Sequence, residues 1–164
     1  MSNVSVIFDI SENIMTQMTA WNGLTGVDLN YTEDMGQMPP EAWVNIGGPS
    51  AAREWAVGTG VTLGGMDEDG EVPIEVQVSQ FEDKSGSRQT TKLMRARAAV
   101  IIHQIELCLA SDPTLAGLVQ WAIVTDIAES SQGTREIGEA SSFVHWVKYE
   151  VKVSFKARIY PGEP

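Results

Sequence analysis

Residues 147–159 read VKYEVKVSFKARI. Val147, Tyr149, Val151, Val153, Phe155, Ala157 and Ile159 fall at every second position, with Lys148, Glu150, Lys152, Ser154, Lys156 and Arg158 between them. Successive side chains of a strand point to opposite faces, so this spacing predicts a long antiparallel strand. One of its faces is dry; the other is basic and meets either solvent or a neighbouring subunit.

Upstream of this strand, residues 88–110 carry the one long helical pattern. Met94, Ala98, Ile101, Ile105 and Cys108 or Leu109 form its packing stripe, with Arg97 and His103 at the flanks. The helix stops at SDPTLAGLVQW, residues 111–121. Pro113 has no amide hydrogen to continue the ladder and biases Asp112 away from helical backbone, so a turn over 114–117 is expected. Residues 118–127 then resume with strand composition.

Earlier in the chain, residues 10–24 predict a short helix with Ile10, Ile14, Met18 and Trp21 on one side and Ser11 as its cap. Residues 43–46 and 54–63 are strand candidates, the second weakened by Gly58 and Gly60. Val72, Ile74, Val76 and Val78 alternate as in a half-buried strand, and Pro73 predicts a sheet edge or a strand start there. The acidic GGMDEDGE at 64–71 reads as a hairpin tip in solvent. Residues 25–40, with a short strand near 27–31, and residues 128–142 read as long mobile loops, the second carrying Arg135 and Glu136. There is no internal repeat. The economical architecture is a single α+β domain over 1–164: an antiparallel or mixed sheet backed by one long helix and a shorter N-terminal one.

The chain has 164 residues, 43% of them apolar, enough for a core of ordinary size. A net charge of −11 argues against a surface built to grip nucleic acid, which needs clustered cations. The charge is unevenly placed. Residues 1–83 hold fourteen acids and one base, a net −13, and residues 84–164 hold eight acids and ten bases, a net +2. Such unlike halves could meet between copies. The opening residues lack the pattern of a secretion signal and no apolar run reaches membrane-spanning length, so a soluble chain made in the cytoplasm is expected. The single Cys108 falls on the helix's packing stripe and reads as a small buried hydrophobe.

Motifs for chemistry are sparse. Residues 58–65 hold glycines close to a dinucleotide fingerprint, but the third is one place late and no βαβ unit surrounds it. Asp67, Glu68 and Asp69 resemble the start of a calcium loop that lacks its later carboxylate. His103 and His145 stand in no metal-ligand spacing, and no nucleophile elbow is present. Hence neither an enzyme, a cofactor nor a metal is expected. Five tryptophans suit core or interface anchoring. The basic group Lys84, Arg88, Lys92, Arg95 and Arg97 reads either as a solvated helix face or as a contact onto the acidic half of a neighbour.

The order of these pieces resembles a known family. Ala96-Arg97-Ala98 in a basic helix, Ile105-Glu106-x-x-Leu109, the Asp112-Pro113-Thr114-Leu115-x-Gly117 turn, a strand, and a last alternating strand ending Lys156-Ala157-Arg158-Ile159 are similar to the tail terminator, or tail completion, proteins of long-tailed bacteriophages. The likeness spans roughly residues 70–160 and rests mainly on the turn and its flanks. It implies a small virion structural subunit at the head-proximal end of the tail. Its copies close into a hexameric ring, cap the tail tube, stop its polymerisation and offer a docking surface to the head. Its partners are then its own copies, the tail-tube protein and the head-tail connector, with DNA passing through the lumen without specific binding. The subunit-interface candidates on this reading are Lys84, Arg88, Lys92, Arg95, Arg97, Asp67, Glu68, Asp69, Arg135 and Glu136. A head-closure adaptor or tail-tube subunit is the alternative within the class. Outside it stands a small ligand-binding module or accessory enzyme using the tryptophans.

Overall fold

The computed structural model describes residues 5–31, 41–55, 65–82, 88–137 and 142–159. Among these lie two α-helices, α1 (Ile10–Thr19) and α2 (Arg88–Ser111), and six strands: β1 (Asp28–Asn30), β2 (Ala42–Ile46), β3 (Ser50–Trp55), β4 (Met66–Glu82), β5 (Trp121–Ile137) and β6 (Ser142–Ile159). The strands form one mixed sheet in the order β1-β2-β4-β6-β5, with β3 also paired to β4. β1 runs parallel to β2, and the remaining described pairs are antiparallel. The α+β architecture read from the sequence is the one observed.

β6 is the spine of the sheet. Val147, Val151, Val153, Phe155, Ala157 and Ile159 are buried, as their alternation predicts. Along β4 the buried Val72, Ile74, Val76 and Val78 lie opposite Val153, Val151, Tyr149 and Val147. The helices cover this apolar face: Ile10, Ile14 and Met18 from α1, and Met94, Ala98, Ile101, Ile105, Cys108 and Leu109 from α2, join one core cluster. Burying each large aliphatic side chain contributes roughly 1.5–3 kcal/mol, so this interlayer contact is the main source of stability. Burial also pushes the Cys108 thiol up to about 11, leaving it a protonated packing group.

The DPTLAG segment ends α2 as anticipated, and its turn is more constrained than proline alone requires. Asp112 Oδ1 accepts from Thr114 N (3.1 Å) and Thr114 Oγ1 (2.6 Å), while Asp112 Oδ2 accepts from Ala116 N (2.8 Å). These bonds hold the Asp112 carboxyl below its usual range, the Thr114 hydroxyl being the largest cause. Leu115 and Ala116 take left-handed backbone, φ 52° and 58°, followed by Gly117 at φ 81°. Leu115 is buried beneath the turn, so its apolar contacts help offset backbone strain.

Several local expectations are corrected. Residues 66–70, expected at a solvent hairpin tip, are the first part of β4 and pair on both sides, with β3 and with β6. Gly70 is a strand glycine: a Cβ there would lie 2.4 Å from both the Phe155 ring and the Ser50 carbonyl oxygen. Pro73, expected at an edge or strand start, sits inside β4 opposite Lys152. Its carbonyl accepts from Gly47 N at 2.7 Å, so its missing N–H faces the break between β2 and β3 and costs no bond to β6.

Residues 128–137, expected as loop, belong to β5 and pair with β6 as far as Ile137 and Ser142. The first helix ends at Thr19 and is followed by a 3-10 turn at Asn22–Leu24. Ser11 does not cap it: Asp9 holds the N-cap position, and Ser11 Oγ donates to the Gly47 carbonyl. The strand anticipated at 54–63 lies at 50–55, with 56–64 outside the described residues, as is most of the 25–40 loop beyond β1.

Candidate assembly surface

The ten residues singled out for subunit contact fall into separate environments. Lys84 and the side chain of Arg88 lie outside the described residues. The acids of β4 do not form one acidic patch, because strand alternation sends them to different faces. Asp67 and Asp69 point to the face that β6 fills with cations. Asp67 accepts two bonds from Arg158, 2.7 Å from Nε and 3.0 Å from Nη2, and Lys156 lies 3.8 Å from Asp67 and 3.7 Å from Asp69. Lys148 pairs with Glu75 at 3.1 Å farther along the same two strands. The Arg158 guanidinium holds the Asp67 carboxyl below its ordinary range.

Glu68 turns inward and is fully buried. Its carboxylate accepts from Ser5 Oγ (2.7 Å), Val6 N (3.1 Å) and Arg53 Nε (2.8 Å). The site is a clamp that ties the chain start and β3 to the sheet. Neither it nor its neighbours make a calcium loop, since Asp67 and Asp69 face away from Glu68. Among the described residues, no group of three His, Cys, Asp or Glu side chains is placed to hold a metal ion.

The basic residues of α2 also find partners within the chain. Arg95 forks onto Glu129 of β5 through Nε (2.8 Å) and Nη2 (2.9 Å), and Tyr149 donates to the same carboxylate at 3.0 Å. This contact lowers the Glu129 pKa and raises that of Arg95, while burial and then the Glu129 bond raise Tyr149. Arg97 pairs with Glu41 just before β2. Part of the charge contrast between the two halves of the sequence is met inside one subunit, across β4–β6 and α2–β2, whereas the Arg95–Glu129 pair joins two residues of the second half. Lys92, Arg135 and Glu136 are exposed and form no ion pair among the described residues.

Exposed apolar side chains are the feature that the sequence reading missed. Trp121, Ile123 and Ile127 of β5 are exposed at one margin of the sheet, and Phe8 is 77% exposed ahead of α1. On α2, Leu93, Val100 and Leu107 are exposed opposite the buried stripe. The signal for this last group was present as a seven-residue spacing, hidden beside the stronger core pattern. A shallow groove of about 230 Å³ separates α2 from β5, lined by Ala99, Ile102, His103, Glu106, Ile127 and Tyr149.

The tryptophans do not share one platform. Trp43 is buried, Trp21 donates to Gln104 Oε1 at 3.0 Å, Trp146 lies across Gly133, and Trp121 opens β5. The side chain of Trp55 and most of the glycine run at 58–65 lie outside the described residues.

The class these observations define is an α+β protein whose mixed sheet carries β4–β6 ion pairs on its charged face and apolar exposure at its flanks. No family model matches the sequence, and no curated protein matches it either. Among solved structures, it is similar at 12% identity and TM-score 0.30 to a chain of a "Virion of native gene transfer agent (GTA) particle", over 92% of this chain and 99% of that one.

Proposed function

We propose that this protein is a virion structural subunit of a tailed phage or phage-like particle, of the tail terminator type. Copies close into a six-membered ring at the head-proximal end of the tail tube, end its growth and present the surface on which the head docks. A closed ring needs two different, mutually complementary surfaces on each subunit. The observation that carries the reading is that the sheet has two unlike margins. One is the 17-residue β5, bearing exposed Trp121, Ile123 and Ile127. The other is the three-residue β1 with exposed Tyr31 just beyond it. The DPTLAG turn that carries the sequence resemblance leads directly into the first of these margins, so it fixes where the β5 surface begins.

Because Arg95, Arg97, Asp67, Glu68 and Asp69 are engaged within the subunit, apolar contact along β5 replaces charge pairing of the two halves as the closing force in this account. The test is the length distribution of tail tubes assembled with and without the protein, viewed by negative-stain microscopy. Capped tubes of limited length support the proposal. Tubes of unaltered length without an end ring contradict it.

A further inference from the structure

We infer that α2 pairs antiparallel with α2 of a second copy, about a twofold axis near Val100. Leu93, Val100 and Leu107 are 52%, 61% and 41% exposed, and they recur every seven residues on the side of α2 opposite the core. Ala96, His103 and Ala110, three residues after each, are exposed as well. Leucine and valine on this ridge leave apolar side chains in water that a second helix would cover. The seven-residue repeat of Leu93, Val100 and Leu107 is the spacing of one apolar row of a helix that meets another helix, and the small Ala96 and Ala110 beside it permit close approach.

The occupant follows from symmetry and charge. When Val100 faces its own copy, Leu93 of one helix reaches Leu107 of the other, and Lys92 comes beside Glu106 of the other. Lys92 makes no ion pair among the described residues, and Glu106 is 43% exposed, with only His103 of its own helix beside it at 3.5 Å. One helix thus carries both halves of a complementary contact, which is what a twofold axis requires. On β5, bulges at Thr125 and Ser130 and the charges of Asp126, Arg135 and Glu136 discourage backbone strand addition, which leaves contact there to its apolar side chains.

A 24-residue helix is roughly 36 Å long at about 1.5 Å per residue, so the pair would bury a patch at the small end of specific interfaces. The expected dimer is therefore weak and concentration-dependent. It is also independent of the ring, since a twofold contact joins like surfaces and a ring contact joins unlike ones.

Cysteine cross-linking of the full chain carrying Cys108→Ser tests the geometry. Val100→Cys is expected to cross-link with itself. Leu93→Cys and Leu107→Cys are expected to cross-link rapidly with each other when mixed and slowly alone. Sedimentation of the native chain provides the second measurement: Lys92→Glu should weaken the dimer several-fold, and adding Glu106→Lys should restore it. Self-linking of Leu93→Cys as fast as that of Val100→Cys, or a charge swap that fails to restore pairing, would overturn the antiparallel arrangement. A native chain that stays monomeric at several hundred micromolar would overturn self-pairing altogether, and would leave the ridge to a different protein.

Discussion

The Arg158 guanidinium grips Asp67 across β4 and β6 with two hydrogen bonds, of 2.7 and 3.0 Å, joining residues 91 apart in the chain. Arg158 is partly exposed and Asp67 nearly covered, so the pair is screened on one side only. Asp67→Asn is expected to lower stability by about 1 kcal/mol at neutral pH, near the upper end for a partly exposed bidentate pair. The sign with pH follows from the lowered pKa of Asp67. Its contribution is full above the ordinary carboxylate range, about 4, and disappears as pH falls through the depressed folded value. Urea unfolding over a pH series should therefore separate the native chain from Asp67→Asn at pH 7, with a gap that narrows as pH falls below the ordinary carboxylate range.

The buried clamp at Glu68 should cost more to break. Glu68→Ala strands the Ser5 hydroxyl and the Val6 amide and releases Arg53. A loss of roughly 3 kcal/mol is expected, as for removing one partner of a buried charged network. Ser5→Ala should lose about 1 kcal/mol, because the Val6 and Arg53 contacts persist. Chemical denaturation measures both, and equal losses for the two variants would show that the carboxylate has no special part.

The turn after α2 makes opposite demands on neighbouring residues. Asp112→Ala removes three hydrogen bonds and is expected to lower the unfolding temperature, whereas Asp112→Asn retains most of them and should lower it less. Ala116→Gly relieves a left-handed alanine that is exposed and should stabilise by about 0.5 kcal/mol, after the chain entropy of glycine is counted. Thermal unfolding of the variants gives the order directly.

β6 and α2 were legible because each repeats one period against one partner layer, and the breaks at Pro113 and at the end of β6's alternation are local. β5 was legible only at its start. Its bulges at Thr125 and Ser130 shift the inward positions from 122 and 124 to 127 and 129, then to 132, so an alternating pattern loses phase twice within one strand. The acidic start of β4 was misread for another reason. Asp67 and Asp69 are tolerable in a strand only because Arg158 and Lys156 stand opposite, and Glu68 only because Ser5 and Arg53 meet it. Those partners are remote in sequence, so composition alone favours a turn.

The candidate contact residues shared that limitation. Unlike charges at the two ends of a sequence suit contact between copies and contact within one subunit equally well; Asp67 and Asp69 pair across β4 and β6 and Arg95 and Arg97 pair from α2, while Lys92, Arg135 and Glu136 stay exposed without an ion pair among the described residues. Arg95→Glu should loosen β5 from α2, visible as faster amide exchange over 128–137, with only a small effect on global stability, as for an exposed pair. If exchange in that arm is unaltered, Arg95 does not strap it.

The β5 margin is where the account is most exposed to test. Purified protein should be mixed with tail-tube subunits and imaged by electron microscopy, in parallel for the native chain and for an Ile123→Glu, Ile127→Glu variant whose circular dichroism matches the native spectrum. Rings seated on the ends of short tubes with the native chain, and long uncapped tubes with the variant, are the predicted result. Rings formed equally well by the variant, or bare tube ends with both proteins, would contradict it.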